Sequence, residues 1–331
     1  MKNSESPGQQ SVFRTEAWVQ AWIDTWGKDP RIQLIDLGGR KHPLEQVYIT
    51  KHRLKKILPV NTLCLAGTGF GAISTPRAEY NDINALVVMA GGKSELIKLL
   101  SPLNWQQFVI PDIDTTSSFA QEIEELIKEA NWSIHIESTE LAYSIDSTSF
   151  DDYLKSLGKN TRLAYFNRRE RLGKHGSIAF KNYDLQDIQE FFEHLNRFHI
   201  NRWDAPCYSP ASQAFIQNFL ERLTAVGGNV VMQGLTVNGE MISVLFDVVW
   251  RKKRYNFQAG YAENRFPKIS LGSLHLGYAV QSALDQQKVY DFMAGNGKHR
   301  NYKIDVANRR LPISTWHISR RSLALLRMLA K

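Results

Sequence analysis

Residues 268–284, "KISLGSLHLGYAVQSAL", place Lys268 and Ser270 directly before an apolar helix that begins near Gly272. The first turn of a helix presents backbone N–H groups that have no partner within the helix, and such an end binds anions. The N–H groups of residues 271–274 could therefore bind a phosphate, with Lys268 adding positive charge. The same stretch is also typical of a buried core helix capped by Ser270, and the two interpretations are compatible.

A second stretch with reactive side chains is "YDFMAGNGKHRNYK", residues 290–303. Asp291 lies between two aromatic residues of a predicted strand, where a carboxylate costs free energy unless it is paired or solvated. It could orient an acceptor hydroxyl or amine, or it could form a structural ion pair with Arg300. A flexible glycine turn follows the strand, and behind it comes a basic cluster that starts at Lys298 and ends at Lys303.

A predicted helix ends in "FHINRW", residues 198–203. His199 and Trp203 share one face because they are four residues apart, and Arg202 lies at the same helix end. Histidine is the usual general base near neutral pH for transfer to a hydroxyl or amine. The three residues could equally pack in the core, and a mechanism that relies on ordered water and positioning needs no dedicated base.

A cluster of arginines occupies the helix predicted at residues 162–171, namely Arg162, Arg168, Arg169 and Arg171. Guanidinium groups in such a cluster suit phosphate or carboxylate. Nucleic-acid binding is the alternative, but aromatic residues do not alternate with the arginines in a stacking pattern, and no zinc-finger, RRM or KH pattern occurs. The pattern therefore favours a small anionic ligand.

The 331 residues carry a net charge of +8, which is unevenly spread. Residues 1–150 have a net charge of −4 and residues 151–331 have +12, so the second half is expected to meet an anionic partner. Two cysteines without a Cys/His cluster argue against a disulfide scaffold and a zinc site. No apolar leader or membrane span is evident, which predicts a cytoplasmic protein. The basic C-terminal segment "RRSLALLRMLAK" could touch an anionic membrane surface, although a docked helix is favoured.

Hydrophobic periodicity predicts helices and strands in both halves. Predicted helices lie at 13–26, 92–100, 117–130, 187–203 and 212–228. Predicted strands lie at 32–37, 44–50, 61–67, 106–110, 254–262, 289–294 and 312–319. Asn238-Gly239 between two alternating apolar runs predicts a two-residue hairpin turn. We expect two domains, 1–147 and 148–331, of a mixed α/β (α+β) class.

The order of these segments resembles a known family. The basic helix "NTRLAYFNRRERL", the helix end "FHINRW", the hairpin "VNGEMISVLFDVVW", the strand "YNFQAGYAE" and the stretch "ISLGSLHLGYAV" are similar to the CelD/BcsL-type branch of the GNAT acetyltransferase superfamily. That branch is related to the Fem-type aminoacyltransferases. The resemblance covers roughly residues 10–320 and implies two GNAT-like domains in tandem. Each would be a mixed, largely antiparallel sheet flanked by helices, the first degenerate and the second with the cofactor groove.

The resemblance also implies an activity and a site. It implies acyl transfer from acetyl-CoA or another acyl-CoA to a saccharide or small-molecule acceptor of the cell envelope or an exopolysaccharide, without a metal. The implied cofactor-binding residues are Gln258, Gly260, Lys268, Ser270, Leu271, Gly272 and Ser273. The implied substrate-binding residues are Arg162, Arg202, Trp203 and Tyr302. His199, Asp291 and Lys303 are the implied catalytic residues, with Lys303 stabilising the tetrahedral intermediate.

One departure from the GNAT pattern bears on the donor. The pyrophosphate loop keeps Gly272 but has Ser273 and Leu274 where fuller loops carry a second small residue. Two alternatives therefore stay open. One is a Fem-type transferase that uses aminoacyl-tRNA, although the long helical arm typical of such enzymes is not evident. The other is a non-catalytic binding protein.

Overall fold

The computed structural model describes residues 11–54, 57–295 and 301–320. The chain divides into two compact units. The first comprises the residues up to Glu140 together with those from Leu311 onwards, and the second comprises Leu141–Arg310. The boundary expected from the sequence, 147/148, falls near the start of the second unit. The sequence-based division, however, placed the residues from Leu311 onwards in the second domain, whereas they belong to the first unit. Residues 321–331 of the predicted C-terminal helix lie outside the described part of the chain.

The first unit begins with a capped helix that buries a row of tryptophans. Thr15 Oγ1 accepts a hydrogen bond from the Trp18 backbone N–H, and Trp18 and Trp22 are fully buried. The tryptophans of this predicted helix therefore pack in the core. The elements of this unit are α1 (Glu16–Trp26), β1 (Ile32–Asp36), β2 (Gln46–Leu54), β3 (Leu58–Leu65), α2 (Asn84–Ala90), α3 (Lys93–Leu100), β4 (Gln107–Asp114), α4 (Ser118–Glu129), the first part of β5 (Ser133–Ile145) and most of the last strand (Arg309–Ser319).

The second unit contains the last residues of β5 and the remaining elements. Two short helices on either side of a π-helical segment, Leu163–Asn167, replace the single helix predicted at 162–171. The elements are α5 (Phe150–Ser156), α6 (Lys159–Arg162), α7 (Arg168–Gly173), β6 (Ile178–Tyr183), α8 (Ile188–Trp203), α9 (Pro210–Ala225), β7 (Asn229–Val237), β8 (Glu240–Trp250), β9 (Lys253–Tyr261), α10 (Leu271–Asp285), β10 (Val289–Met293) and α11 (Lys303–Val306), and Arg309–Ser319 is β11.

The strands pair in the same pattern in each unit. In the first unit β1, β2 and β3 pair antiparallel, β3 and β4 pair parallel, and β4 pairs antiparallel with β11. In the second unit β6 to β9 pair antiparallel, β9 and β10 pair parallel, and β10 pairs antiparallel with β5. The predicted class, a mixed and largely antiparallel sheet flanked by helices, is confirmed.

The sheet of the second unit carries helices on both faces. Phe246 of β8 contacts Phe191 of α8, whereas the neighbouring Leu245 packs in a core cluster with Leu276 of α10. Successive residues of a strand point to opposite faces, so α8 and α10 lie on opposite sides of β8. The predicted hairpin turn joins β7 and β8, with positive φ at both Asn238 and Gly239.

The π-helical segment lies close against α10. A Cβ placed on Gly277 would stand 2.0 Å from the carbonyl oxygen of Tyr165, so glycine allows the two backbones to approach. The contact between Gly277 and Tyr165 lies at the π-helical turn, which the sequence pattern of the arginine-rich segment did not predict. Among the described residues, no helix is both long enough and apolar enough to cross a membrane.

Candidate active site

The candidate site lies in the second unit, where the parallel strands β9 and β10 separate. Their register runs from Val289 opposite Lys253 to Asp291 opposite Tyr255, and β9 continues to Tyr261 without a partner on β10. Strand β10 therefore no longer occupies the backbone along that part of β9, although the Ala259 N–H donates to Gln258 Oε1 and the Ala259 carbonyl faces His199 Nε2. We call the space between the separating strands the β9–β10 gap.

A bulge in β9 accompanies the separation. Phe246 of β8 lies opposite Gln258, and the next residue, Asp247, lies opposite Asn256, so Phe257 is the extra residue of β9. A bulge bends its strand and increases the local twist, which turns β9 away from its neighbour. The extra residue, Phe257, lies two residues after the last position paired with β10, Tyr255, where the gap opens.

A buried polar network holds the closed end of the gap. The Asp247 carboxylate accepts hydrogen bonds from Arg254 Nε at 2.6 Å, Asn256 Nδ2 at 2.7 Å and the Tyr290 hydroxyl at 3.2 Å. These four residues belong to β8, β9 and β10, and Asp247 is fully buried. Arg254 and Tyr290 are also partners in the parallel register. The network therefore ties the three strands together immediately before β9 and β10 separate.

The N-terminus of α10 follows β9 and is not capped by its N-cap side chain. Ser270 is the N-cap residue, but its hydroxyl lies 2.9 Å from the hydroxyl of Ser273 and makes no capping bond to the backbone. The Ser270 carbonyl accepts the first helical bond, from Leu274 N. The N–H groups of residues 271–273 therefore have no partner within the helix. Lys268, two residues earlier, is exposed and has a positive φ.

Tyr261 covers part of this helix end. A Cβ on Gly272 would stand 2.4 Å from Cε1 of the Tyr261 ring, so the ring packs directly on the first turn of α10. Sequence reasoning did not select Tyr261, although it lies in the same strand as Gln258 and Gly260. An aromatic residue at the end of the strand that precedes α10 was the signal present in the sequence.

Arg202 of α8 joins the same cluster. Its guanidinium donates a hydrogen bond to the Tyr261 hydroxyl and lies 4.8 Å from the centre of that ring. It also lies 5.3 Å from the ring centre of Trp203, which is half exposed, and 3.2 Å from Oε1 of Glu263. The predicted pair Arg202 and Trp203 is therefore close to Tyr261, and through it to Gly272.

His199 faces the unpaired part of β9. Its Nε2 lies 3.2 Å from the carbonyl oxygen of Ala259, which can only accept, so Nε2 carries the proton and Nδ1 the lone pair. Burial lowers the pKa of His199, and the nearby positive charge of Arg202 lowers it further. Hydrogen bonds to the Ala259 carbonyl and the Gln258 side chain oppose this shift. Gly260 allows α8 to approach, since a Cβ there would stand 2.9 Å from Cβ of Phe198.

Asp291 is buried on β10, and its carboxylate contacts Met293 and Lys253 of the same unit. Its Oδ1 accepts a hydrogen bond of 2.7 Å from the Met293 backbone N–H, and its Oδ2 lies 3.3 Å from Lys253 Nζ. Met293 has a positive φ of 60°, so the carboxylate helps to hold an unusual backbone conformation at the end of β10. Arg300, the partner considered from the sequence, lies outside the described residues.

Lys303 and Tyr302 lie beyond the end of β10. Lys303 is buried, and its ammonium donates to the carbonyl oxygens of Met293 and Ala294 at 3.0 and 2.5 Å. Burial raises the pKa of Tyr302, and the positive charge of Arg202 opposes that shift. The Tyr302 ring centre lies 6.4 Å from that of Phe292 on β10.

The structure thus gathers most of the predicted residues around the β9–β10 gap and the start of α10. Arg162, at the end of α6, is half-buried and has no hydrogen bond to Arg202, Trp203 or Tyr261. Another arginine of the 162–171 segment, Arg169, contacts α10 instead. It donates to Gln281 at 2.6 Å and lies 3.7 Å from the ring centre of Tyr278. A splayed strand pair followed by an open helix end, with a histidine and an arginine beside it, is an arrangement able to bind a phosphate-bearing donor.

Comparisons with known proteins bear on the fold and on the class of domain. Residues 159–303 match the family model described as an acetyltransferase (GNAT) domain. A protein of unknown function from Bacteroides thetaiotaomicron has a TM-score of 0.56 at 11% identity, with 94% of this chain and 92% of that chain covered. FemX has a TM-score of 0.54 at 11% identity, with 98% and 99% covered. No curated protein sequence matches the chain.

A third solved structure has a similar fold. It is the C-terminal domain of a candidate lysylphosphatidylglycerol synthetase from Agrobacterium fabrum, with a TM-score of 0.52 at 10% identity and 96% and 92% of the two chains covered. At these identities the likeness shows the fold alone. The matched domain, residues 159–303, supports an acyltransferase-type activity for that part of the chain. The fold of the chain is similar to that of the Fem-type protein FemX. Assignment to the CelD/BcsL-type branch stays a prediction.

Proposed function

We propose that the second unit transfers an acyl group from acyl-CoA to a hydroxyl or amine of an acceptor at the β9–β10 gap. The observation that carries this proposal is the separation of β9 and β10 directly beside the uncapped N-terminus of α10. An extended donor arm can hydrogen-bond to the unpaired backbone of β9. Its phosphates can meet the N–H groups of residues 271–273 and the charge of Lys268.

The donor fits this site with one restriction. The Tyr261 ring packs on Gly272, so the phosphates would contact the helix end beside that ring, at Leu271 and Ser273. Acetyl-CoA or another acyl-CoA supplies an activated thioester. The chain itself contributes binding, orientation and proton transfer.

His199 is the candidate general base of this proposal. Its lowered pKa keeps the imidazole neutral near pH 7, and the bond from Nε2 to Ala259 leaves the lone pair on Nδ1. Asp291 is a weaker candidate for that role, because Lys253 and the Met293 N–H already occupy its oxygens. Lys303 holds the carbonyls at the end of β10 and adds positive charge there, which would favour a developing oxyanion.

The acceptor is proposed to be a saccharide or amino sugar of the cell envelope or an exopolysaccharide, bound beside Arg202, Trp203 and Tyr302. Trp203 is half exposed and Arg202 is held by Tyr261 and Glu263, which together present an aromatic face next to a fixed cation. Such a pair suits a sugar ring that carries polar substituents.

Ser273→Asp tests the placement of the donor phosphates. Gly272→Asp would also displace the Tyr261 ring, whereas Ser273 lies in the first turn of α10, where an aspartate favours the helix. We expect Ser273→Asp to weaken acetyl-CoA binding about tenfold or more by charge repulsion, as measured by calorimetry. Ser273→Asn is the neutral control and should bind like the wild type. Equal binding by all three proteins would contradict this placement.

A Fem-type reaction with aminoacyl-tRNA is the second candidate. Two observations favour it: the Tyr261 ring covers part of the helix end, and His199 occupies the carbonyl of Ala259, which a donor arm would otherwise use. Salt-sensitive binding of tRNA without acetyl-CoA binding would support this candidate. Binding of neither ligand would instead support a non-catalytic binding protein.

A further inference from the structure

A groove in the second unit lies beside the candidate site and has no role in the donor chemistry. It is a cavity of about 480 Å³ between α8, β6 and the β7–β8 hairpin. We call it the α8 groove. The residues that line it include Lys181, Glu190, His194, Arg197, Glu240 and Met241. Phe198 and Ala262, which also line it, are the chain neighbours of His199 and Tyr261.

Most charges of the α8 groove neutralise one another. Lys181 Nζ bonds both carboxylate oxygens of Glu190 at 2.5 and 2.6 Å, and Arg265 Nη2 bonds Glu240 at 2.7 Å. His194 Nε2 lies 3.6 Å from Glu190, and burial lowers the pKa of His194, which keeps it neutral.

Arg197 is different, because in the described part of the chain it forms no ion pair with a carboxylate. Its Nη2 donates to Nδ1 of the neutral His194 at 3.0 Å, and its guanidinium lies 5.3 Å from the ring centre of Phe198. A guanidinium has five N–H donors, so the other donors of Arg197 and its charge remain available to a ligand.

Tyr183 packs behind the groove and is not among the residues that line it. Its ring lies 4.6 Å from Lys181 Nζ, and its hydroxyl is buried. A ligand in the groove would therefore meet Arg197 and not the Tyr183 hydroxyl.

We propose that the α8 groove binds the carboxylate group of a small monoanionic ligand. The guanidinium of Arg197 lines the groove and matches a carboxylate in a bidentate arrangement. Glu190 and Glu240 are paired with Lys181 and Arg265, which leaves the single positive charge of Arg197 for the ligand. One such charge matches a monoanionic carboxylate better than a dianion such as phosphate. The apolar Met241 and Phe198 suit the carbon part of such a ligand. The carboxylate would belong to the acceptor of the acyl transfer only if the proposed function is correct.

Binding can be measured on the full chain without donor or turnover. The probes are N-acetylglycine, its neutral amide N-acetylglycinamide and inorganic phosphate, titrated by NMR at constant ionic strength. We expect N-acetylglycine to bind, the amide to bind at least about tenfold more weakly, and phosphate to bind more weakly than the carboxylate. No binding of N-acetylglycine, or equal or tighter binding of the amide or phosphate, would overturn the proposal.

Variants assign the binding to Arg197. Arg197→Ala should weaken N-acetylglycine binding about tenfold or more, and Arg197→Lys should recover part of it. Arg222→Ala on α9 removes the same charge outside the groove and should bind like the wild type. Wild-type affinity in Arg197→Ala sinks the proposal. Acetyl-CoA titration of the same proteins reports on the proposed function separately.

Discussion

Replacing Asp247 with alanine is expected to lower the free energy of unfolding of the second unit by about 3–5 kcal/mol. The substitution leaves the Arg254 guanidinium, which is 3% exposed, without its carboxylate, and removes the acceptor of Asn256 and Tyr290. A buried charge without a partner is costly, and this one lies where three strands meet. Denaturation in urea, followed by far-UV circular dichroism, measures the effect.

A double variant separates the buried charge from the loss of packing. Asp247→Leu together with Arg254→Met removes both charges and keeps apolar volume, so it should be far more stable than Asp247→Ala. Asp114→Ala, at the end of β4 in the first unit, is a control in which a less buried carboxylate is removed. If the double variant were as unstable as the single one, the cost could not be assigned to an unpaired Arg254.

Lowering the pH from 8 to 5 is expected to remove about 2 kcal/mol of stability through His275 alone. Burial lowers the pKa of His275 to about 3, and the charge of Arg254 adds to the shift. Its Nδ1 lies 2.9 Å from the Ser243 hydroxyl, which itself donates to the carbonyl of Gly260, so Nδ1 carries the proton. Nε2 is buried without a partner among the described residues, so a proton added there would have no acceptor.

The sign of this effect follows from proton binding. The unfolded chain takes up a proton on this histidine below about pH 6.5, whereas the folded protein does so only near pH 3. The stabilisation is therefore complete above pH 6.5 and is lost as the pH falls through that value towards 3. Other ionisable groups also titrate in this range, so the contribution of His275 must be isolated by a variant.

His275→Asn supplies that comparison. The asparagine amide can donate to Ser243 but does not titrate, so the variant should be less stable than the wild type at pH 8 yet lose about 2 kcal/mol less on going to pH 5. Urea titrations of both proteins at the two pH values give the difference. The same loss of stability in both proteins would show that His275 is not buried as a neutral imidazole.

The sequence predicted the elements that carry strong patterns. Ser117 before "SFAQEIEELIKE" marks the start of α4, and the hairpin turn at Asn238-Gly239 lies where its residue types place it. The order of motifs in the second half was specific enough to predict the GNAT fold, which is confirmed. Short elements without a clear period, β6 and α2, were not predicted.

The candidate site was predictable as a set of residues but not as an arrangement. Arg202 was chosen because it follows His199 on one helix, yet its principal partner, Tyr261, lies 59 positions away in the chain. Local spacing reports on neighbours along a helix or strand and carries no information on such a contact. The same holds for Asp291, whose described partner is Lys253 on the neighbouring strand.

The sequence by itself determined the mixed α/β fold class, because helix caps, turn residues and apolar periods act over a few residues and can be read directly. It also predicted an anion-binding helix end after the strand that carries Gln258 and Gly260, and this stays a prediction. The tertiary structure alone decided that β9 and β10 separate after Tyr255, that Gly272 accommodates the Tyr261 ring, and that a polar groove lies along α8. These features depend on the pairing and packing of distant segments, where register and close approach are set by many contacts at once.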